Sequence, residues 1–143
     1  MPSTTEIITR YYDELWNHWR YELIPELISP DLTFRGSLGA HVSSRAGFRA
    51  YMEAVQRAFP DFSNSIDETI VEWDRAAVRL TYRGTHSGVL YGIHATGRTV
   101  EYSGIAIFRI SDGLIQSGWV VGDTQSLWRQ IGTPQPEIPR QDI

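Results

Sequence analysis

The sequence predicts one α+β domain, in which a curled antiparallel sheet from the second half of the chain is closed by three helices from the first half. Two observations carry this. Apolar residues recur at helical spacing as far as Pro60, and from residue 62 they recur at a period of two, which marks a change from helices to strands. The strand-like segments run about 10 to 12 residues, longer than the usual five or six, so the sheet must curl into a cone. Its concave face, roofed by the helices, then encloses one deep pocket. A chain of 143 residues leaves room for a single core.

Ser3 and Glu6 form a capping box, and Ile7, Ile8, Tyr11, Tyr12, Leu15, Trp16 and Trp19 then fall on one broad aromatic face of a helix over residues 4–19. Asn17 reads as its C-cap. A short second helix follows over 23–28, stopped by Ser29-Pro30-Asp31, and Leu32 to Arg35 alternates as a short strand. Ser43 or Ser44 opens a third helix, with Phe48, Tyr51, Met52, Val55 and Phe59 on one face and Pro60 at its end. Strands are predicted over 62–73, 76–86, 99–110 and 114–121, the first pair joined at Asp74-Arg75 and the last at Asp112-Gly113. A loop studded with Gly88, Gly92 and Gly97 lies between the two pairs. Thr124 to Ile131 forms a last helical turn or two before Gly132 and Pro134. Residues 1–132 therefore make the domain, and 133–143 a proline-rich tail expected to be mobile or draped over a neighbour.

Composition narrows the function. A formal charge of −4 and a pI near 5.5 argue against nucleic acid and anionic membrane as partners. No apolar run approaches the roughly 20 residues needed to span a bilayer, and the N-terminus lacks a basic segment followed by an apolar one, so a soluble, cytoplasmic chain is expected. With no cysteine there is no thiolate nucleophile, and with all thirteen basic residues arginine there is no side-chain amine for Schiff-base chemistry. His18, His41, His86 and His94 show no metal-ligand spacing, so no metal is expected. No phosphate loop or Gly-x-Ser-x-Gly elbow occurs. Five Trp, seven Tyr and five Phe suit a pocket for a flat or greasy ligand.

Asp123 is the first chemical candidate. It follows an apolar strand and shares strand parity with Trp119 and Val121. If that face is concave, the carboxylate enters an aromatic pocket where desolvation raises its pKa toward that of a general acid/base. The competing reading is a helix N-cap for Thr124-Gln125-Ser126. His86, at a strand end beside the glycine-studded loop, could bond a substrate oxygen or relay a proton, against the plainer reading of a surface histidine. Tyr12, Trp16, Tyr102 and Trp119 are candidates for pocket walls under the curled-sheet reading.

The motifs Tyr12-Asp13-Glu14-Leu15-Trp16-Asn17, Ala58-Phe59-Pro60-Asp61, Arg83-Gly84-Thr85-His86-Ser87-Gly88, Thr96-Gly97-Arg98 and Trp119-Val120-Val121-Gly122-Asp123, closed by Arg129-Gln130-Ile131-Gly132, resemble the SnoaL-like polyketide cyclases over residues 5–132. That family belongs to the nuclear transport factor 2-like superfamily of cone-shaped α+β folds, often dimeric through the outer face of the sheet. The resemblance implies a cofactor-independent, aldol-type ring closure of a polyketide-like or aromatic carbonyl compound by a homodimer. By position Asp123 matches the acid/base aspartate, and His86 falls in the Gly-Thr-His run. Where members carry inward polar residues on the third long strand, this chain offers Gly104 and Ala106 or Ile105 and Ile107, depending on register. Arg35 could hold an anionic enolate, or stand solvated. Two further readings are an epoxide-hydrolase-like enzyme, which needs a second carboxylate and an arginine beside Asp123, and a non-catalytic, ligand-binding dimeric module.

Overall fold

The computed structural model describes residues 2–138. Helix α1 (Thr4–Arg10) begins where expected, with the Ser3 hydroxyl accepting from the Glu6 N–H at 3.1 Å. The predicted single helix over 4–19 then changes character. Tyr11–Trp16 form a π-helical turn, in which the Asn17 N–H reaches back to the Tyr12 carbonyl at 2.9 Å. The wider turn buries Tyr11, Tyr12, Leu15 and Trp16 together. Asn17 ends this turn, and its side chain crosses to Asn64, accepting from the Asn64 N–H at 2.8 Å and donating to its carbonyl at 2.9 Å.

A 3-10 turn (Tyr21–Leu23) and α2 (Ile24–Leu27) lead into β1 (Ile28–Arg35). Ser29-Pro30-Asp31 is thus inside a strand rather than ahead of one. Proline is tolerated there because the pairing of β1 with its neighbour skips between Ile28 and Thr33. Strand β2 (His41–Ser43) is new to the sequence reading, being too short to show a period. Helix α3 (Ser44–Ala58) precedes the four long strands, β3 (Ser63–Glu72), β4 (Arg75–Thr85), β5 (Thr99–Ser111) and β6 (Leu114–Gly122). Helix α4 (Thr124–Ile131) closes on Gly132 in the left-handed region, φ +88°.

The six strands form one curled, open sheet in the order β2-β1-β6-β5-β4-β3. It is not wholly antiparallel, since β1 runs parallel to β6. The other four strands make hairpins or short returns, whereas β1 and β6 are joined through most of the chain, the long crossover that a parallel pair requires. Tyr82, Val100, Tyr102, Gly104, Ala106, Phe108 and Val120 face inward onto α1 and α3. Register therefore selects Gly104 and Ala106, and turns Ile105 and Ile107 outward. The predicted tail reaches Ile138 among the described residues, where it packs half-buried against the core, and its remainder, 139–143, lies outside them. No helix among the described residues is long and apolar enough to cross a membrane.

Candidate active site

A cavity of about 270 Å³ lies between the concave face and the helices. The π-helical turn brings Tyr11, Tyr12 and Trp16 to it, β1 brings Phe34, α3 brings Tyr51, and β4 and β5 bring Tyr82 and Tyr102. The rings are mutually wedged. Tyr11 meets Tyr12 edge-on at 4.8 Å, Trp16 meets Tyr51 at 6.0 Å, and Tyr82 lies 4.9 Å from Tyr102 while stacking on Phe62 at 5.8 Å. Two glycines make this packing fit. A Cβ on Gly104 would stand 2.5 Å from the Tyr82 ring, and one on Gly36 2.2 Å from the Tyr51 hydroxyl.

The polar content of the wall is mainly phenolic, with Ser37, Asn64 and Arg57 beside the tyrosines. Tyr102 and Ser37 share a hydrogen bond of 3.3 Å. The Tyr12, Tyr51 and Tyr82 hydroxyls have no hydrogen-bond partner among the described residues. They are not sealed in either, because the enclosed side-chain atoms lacking a partner are His86 Nε2 and Trp128 Nε1. These three hydroxyls therefore open onto the cavity. Burial, with smaller contributions from neighbouring phenols, pushes Tyr12, Tyr51 and Tyr82 well above the usual phenol value, and burial pushes Tyr102 up to about 12. All four are neutral donors at physiological pH. Among the described residues lining the cavity, Arg57 is the one charged group, and no carboxylate or imidazole takes part.

Of the residues singled out from the sequence, Tyr12, Trp16 and Tyr102 meet in this cavity. The others stand elsewhere. Asp123 shares parity with Trp119 and Val121 as read, but that face is the outer one: Trp119 is 50% exposed and Val121 46%. The Asp123 carboxylate is exposed and accepts from the Ser126 N–H at 3.2 Å, capping α4. It is one residue from the wall all the same, since Gly122 packs against Ser37 and Tyr102. Arg35 leaves the cavity too, donating to the Val120 carbonyl and lying 4.9 Å over the Trp119 ring. His86 is neither on the surface nor on the cavity wall, for it is fully buried under the β4–β5 loop. Tyr51 and Tyr91 were not singled out. Tyr51 read as one more residue of an amphipathic helix face, and Tyr91 sits in a loop without a period.

Comparison with known proteins agrees with this architecture. An aklanonic acid methyl ester cyclase of Streptomyces peucetius is 28% identical over 138 residues, 94% of each chain. Among solved structures, TsrD of Streptomyces laurentii superposes with a TM-score of 0.80 at 27% identity, covering 91% of this chain and 95% of its own. AclR of Streptomyces galilaeus, described as a candidate hydroxylase, gives 0.76 at 30% identity over 96% of this chain and 87% of its own. The profile of the SnoaL-like polyketide cyclases matches residues 6–131. The chain belongs to the SnoaL-like polyketide cyclase family.

Proposed function

We propose that this chain is a cofactor-independent cyclase that closes a ring on a polyketide-like, aromatic carbonyl compound held in the tyrosine-lined cavity. The observation that carries the reading is the set of three buried, neutral, unpartnered phenols on Tyr12, Tyr51 and Tyr82. A neutral phenol donates to a carbonyl oxygen, and its hydrogen bond strengthens as that oxygen gains charge when the adjacent carbon loses a proton. The aromatic walls stack on flat rings and keep water away. Proton removal, and return to the new alkoxide, is assigned to Asp123 by its position in the family motif. To act, its side chain must leave the Ser126 amide and turn from the outer face to the cavity face, where Gly122 packs against Ser37 and Tyr102.

Asp123→Asn tests this assignment cleanly, because asparagine caps a helix about as well as aspartate but removes no proton. Stability to urea should change by about 0.5 kcal/mol or less. Turnover of aklanonic acid methyl ester, the compound named in the Streptomyces peucetius relative, should fall by about 100-fold or more. Undiminished turnover removes Asp123 from the chemistry. The non-catalytic binding reading draws on one specific observation, the exposed capping geometry of Asp123, and predicts that the ester is bound unaltered by both proteins. The epoxide-hydrolase reading has no carboxylate pair to build on among the cavity's described lining. The same proposal has the chain paired as a homodimer through the outer sheet face, where Ile105, Ile107, Trp119 and Val121 are about half exposed.

A further inference from the structure

The loop over residues 86–98 is organised around one imidazole. His86 follows the end of β4, and none of its surface is exposed. Its backbone makes the stem of the loop: the His86 N–H donates to the Arg98 carbonyl and the Gly97 N–H to the His86 carbonyl, both at 2.9 Å. Its ring binds the returning arm. Nδ1 receives the Thr96 N–H at 3.3 Å and the Thr96 hydroxyl at 3.0 Å. A nitrogen that accepts a backbone N–H carries no hydrogen, so this network assigns the neutral ring's proton to Nε2. Nε2 is enclosed without a hydrogen-bond partner among the described residues, and Phe59 covers the ring at 5.7 Å between centroids.

The same loop stands where the cavity meets the surface, since Val89 both lines the cavity and is 56% exposed. Leu90 and Tyr91 line the cavity beside it. Leu90 and Ile93 exchange backbone hydrogen bonds of 3.0 and 2.9 Å around Tyr91 and Gly92, whose φ angles of +45° and +81° make a tight two-residue turn. On the near side, the Ser87 and Gly88 N–H groups both donate to the Ala58 carbonyl, at 2.9 and 3.2 Å. The loop thus has two anchors, the end of α3 and the His86 ring.

We infer that His86 is a positioning residue that holds this loop closed over the cavity while its ring is neutral, and that protonation of the ring opens the mouth. The inference rests on the cavity being the binding site. Protonation puts a hydrogen on Nδ1 directly against the Thr96 N–H. The threonine hydroxyl can turn to accept it, but the amide cannot, so the Thr96 N–H contact is lost. Burial supports the neutral ring: it lowers the His86 pKa, and the Ile93 and Gly88 carbonyls that face the ring offset this only in part, without the geometry of full hydrogen bonds. The charged groups on the surrounding elements are Arg57 on α3, Asp61 after it, Arg98 before β5 and His94 in the loop. Asp61 is bound to Thr85 and Arg98 to the Gln130 carbonyl, while His94 is exposed and none of the four bonds the ring. The folded ring has the lower pKa, so the unfolded chain takes up the proton first as pH falls. Stabilisation by the neutral ring is complete above the ordinary imidazole value and is lost as pH drops from there through the folded value.

Amide hydrogen exchange on the whole chain, between about pH 8 and about pH 5, reads this directly. Protection factors over residues 87–97 should fall about tenfold or more on acidification, while those of β4 and β5 hold. His86→Asn places an acceptor near the Nδ1 position and does not titrate, so its loop should be pH-independent. A wild-type loop that keeps its protection in acid overturns the inference, as does a pH response surviving in His86→Asn. Should that variant not fold, His86→Gln, which does not titrate either, must give loop protection that is independent of pH; a pH response surviving in it also overturns the inference. Calorimetric titration of the same samples with 2-naphthol separates the two readings, because a protein that never binds the probe loses the cavity's function and keeps the loop result.

Discussion

Tyr82 and Tyr102 lie ring against ring, yet among the described residues Tyr102 has a partner for its hydroxyl and Tyr82 has none. Tyr82→Phe therefore removes no internal hydrogen bond, and urea denaturation should give a stability within about 0.5 kcal/mol of wild type. Turnover of the ester should drop by about tenfold or more if this phenol meets the carbonyl oxygen, and an unchanged rate would exclude it. At this scale the sequence was only partly legible. Both uses of Asp123 could be read from its neighbours, but the choice between them turned on which face of β6 is concave. That face could not be read, because Ile115 and Val120 inside and Trp119 and Val121 outside are all apolar. His86 hid for a related reason, since a fully buried histidine and an exposed one look alike in a Gly-Thr-His-Ser-Gly run.

Elements with a strong period were legible. Helix α3, the four long strands, the Ser3 cap and the switch at residue 62 all stand where the spacing put them, to within about two residues at each end. What failed was irregular. The π-helical turn leaves the same apolar pattern as an α-helix, the bulge in β1 makes Pro30 look like a terminator, and β2 is three residues long. The strand most open to testing is β5. A methyl on Gly104 would lie 2.5 Å from Tyr82, with the sheet behind it, so the ring has to shift toward the cavity. Gly104→Ala should lower stability by about 1–3 kcal/mol through overpacking. It should also weaken 2-naphthol binding, and a protein of wild-type stability and affinity would show that the ring has room to retreat elsewhere.

For the whole molecule the outer face of the sheet matters most. Strand pairing aligns Ile70, Ala77, Ile107 and Trp119 in one row, with Ile105 and Val121 in the next. Ile70 is 62% exposed at the sheet edge. A row of this kind crossing four strands is larger than the scattered apolar residues of an ordinary surface. Light scattering at micromolar concentration should therefore return about twice the 16.3 kDa chain mass, and Ile107→Glu should return the single mass. A wild-type monomer would remove the homodimer from the proposed function.

The parallel pairing of β1 with β6 bears on how the chain reaches this state. Thr33 and Ser117 must find each other across most of the sequence, and contacts of such long range form slowly because closing the intervening loop is entropically costly. During synthesis, β1 leaves the ribosome well before β6, with β2 alone following closely enough to pair with it. Phe34 can meet Phe48 and Tyr51 of α3 early, but the edge of β1 that pairs with Gly118 waits on translation of the last strand, while the β3–β4–β5 meander can already pair. The nascent chain should accordingly carry an unfinished, chaperone-sensitive edge until β6 has emerged, and a stop codon ahead of β6 would leave β2–β1 and the β3–β4–β5 meander as two unjoined pieces of sheet.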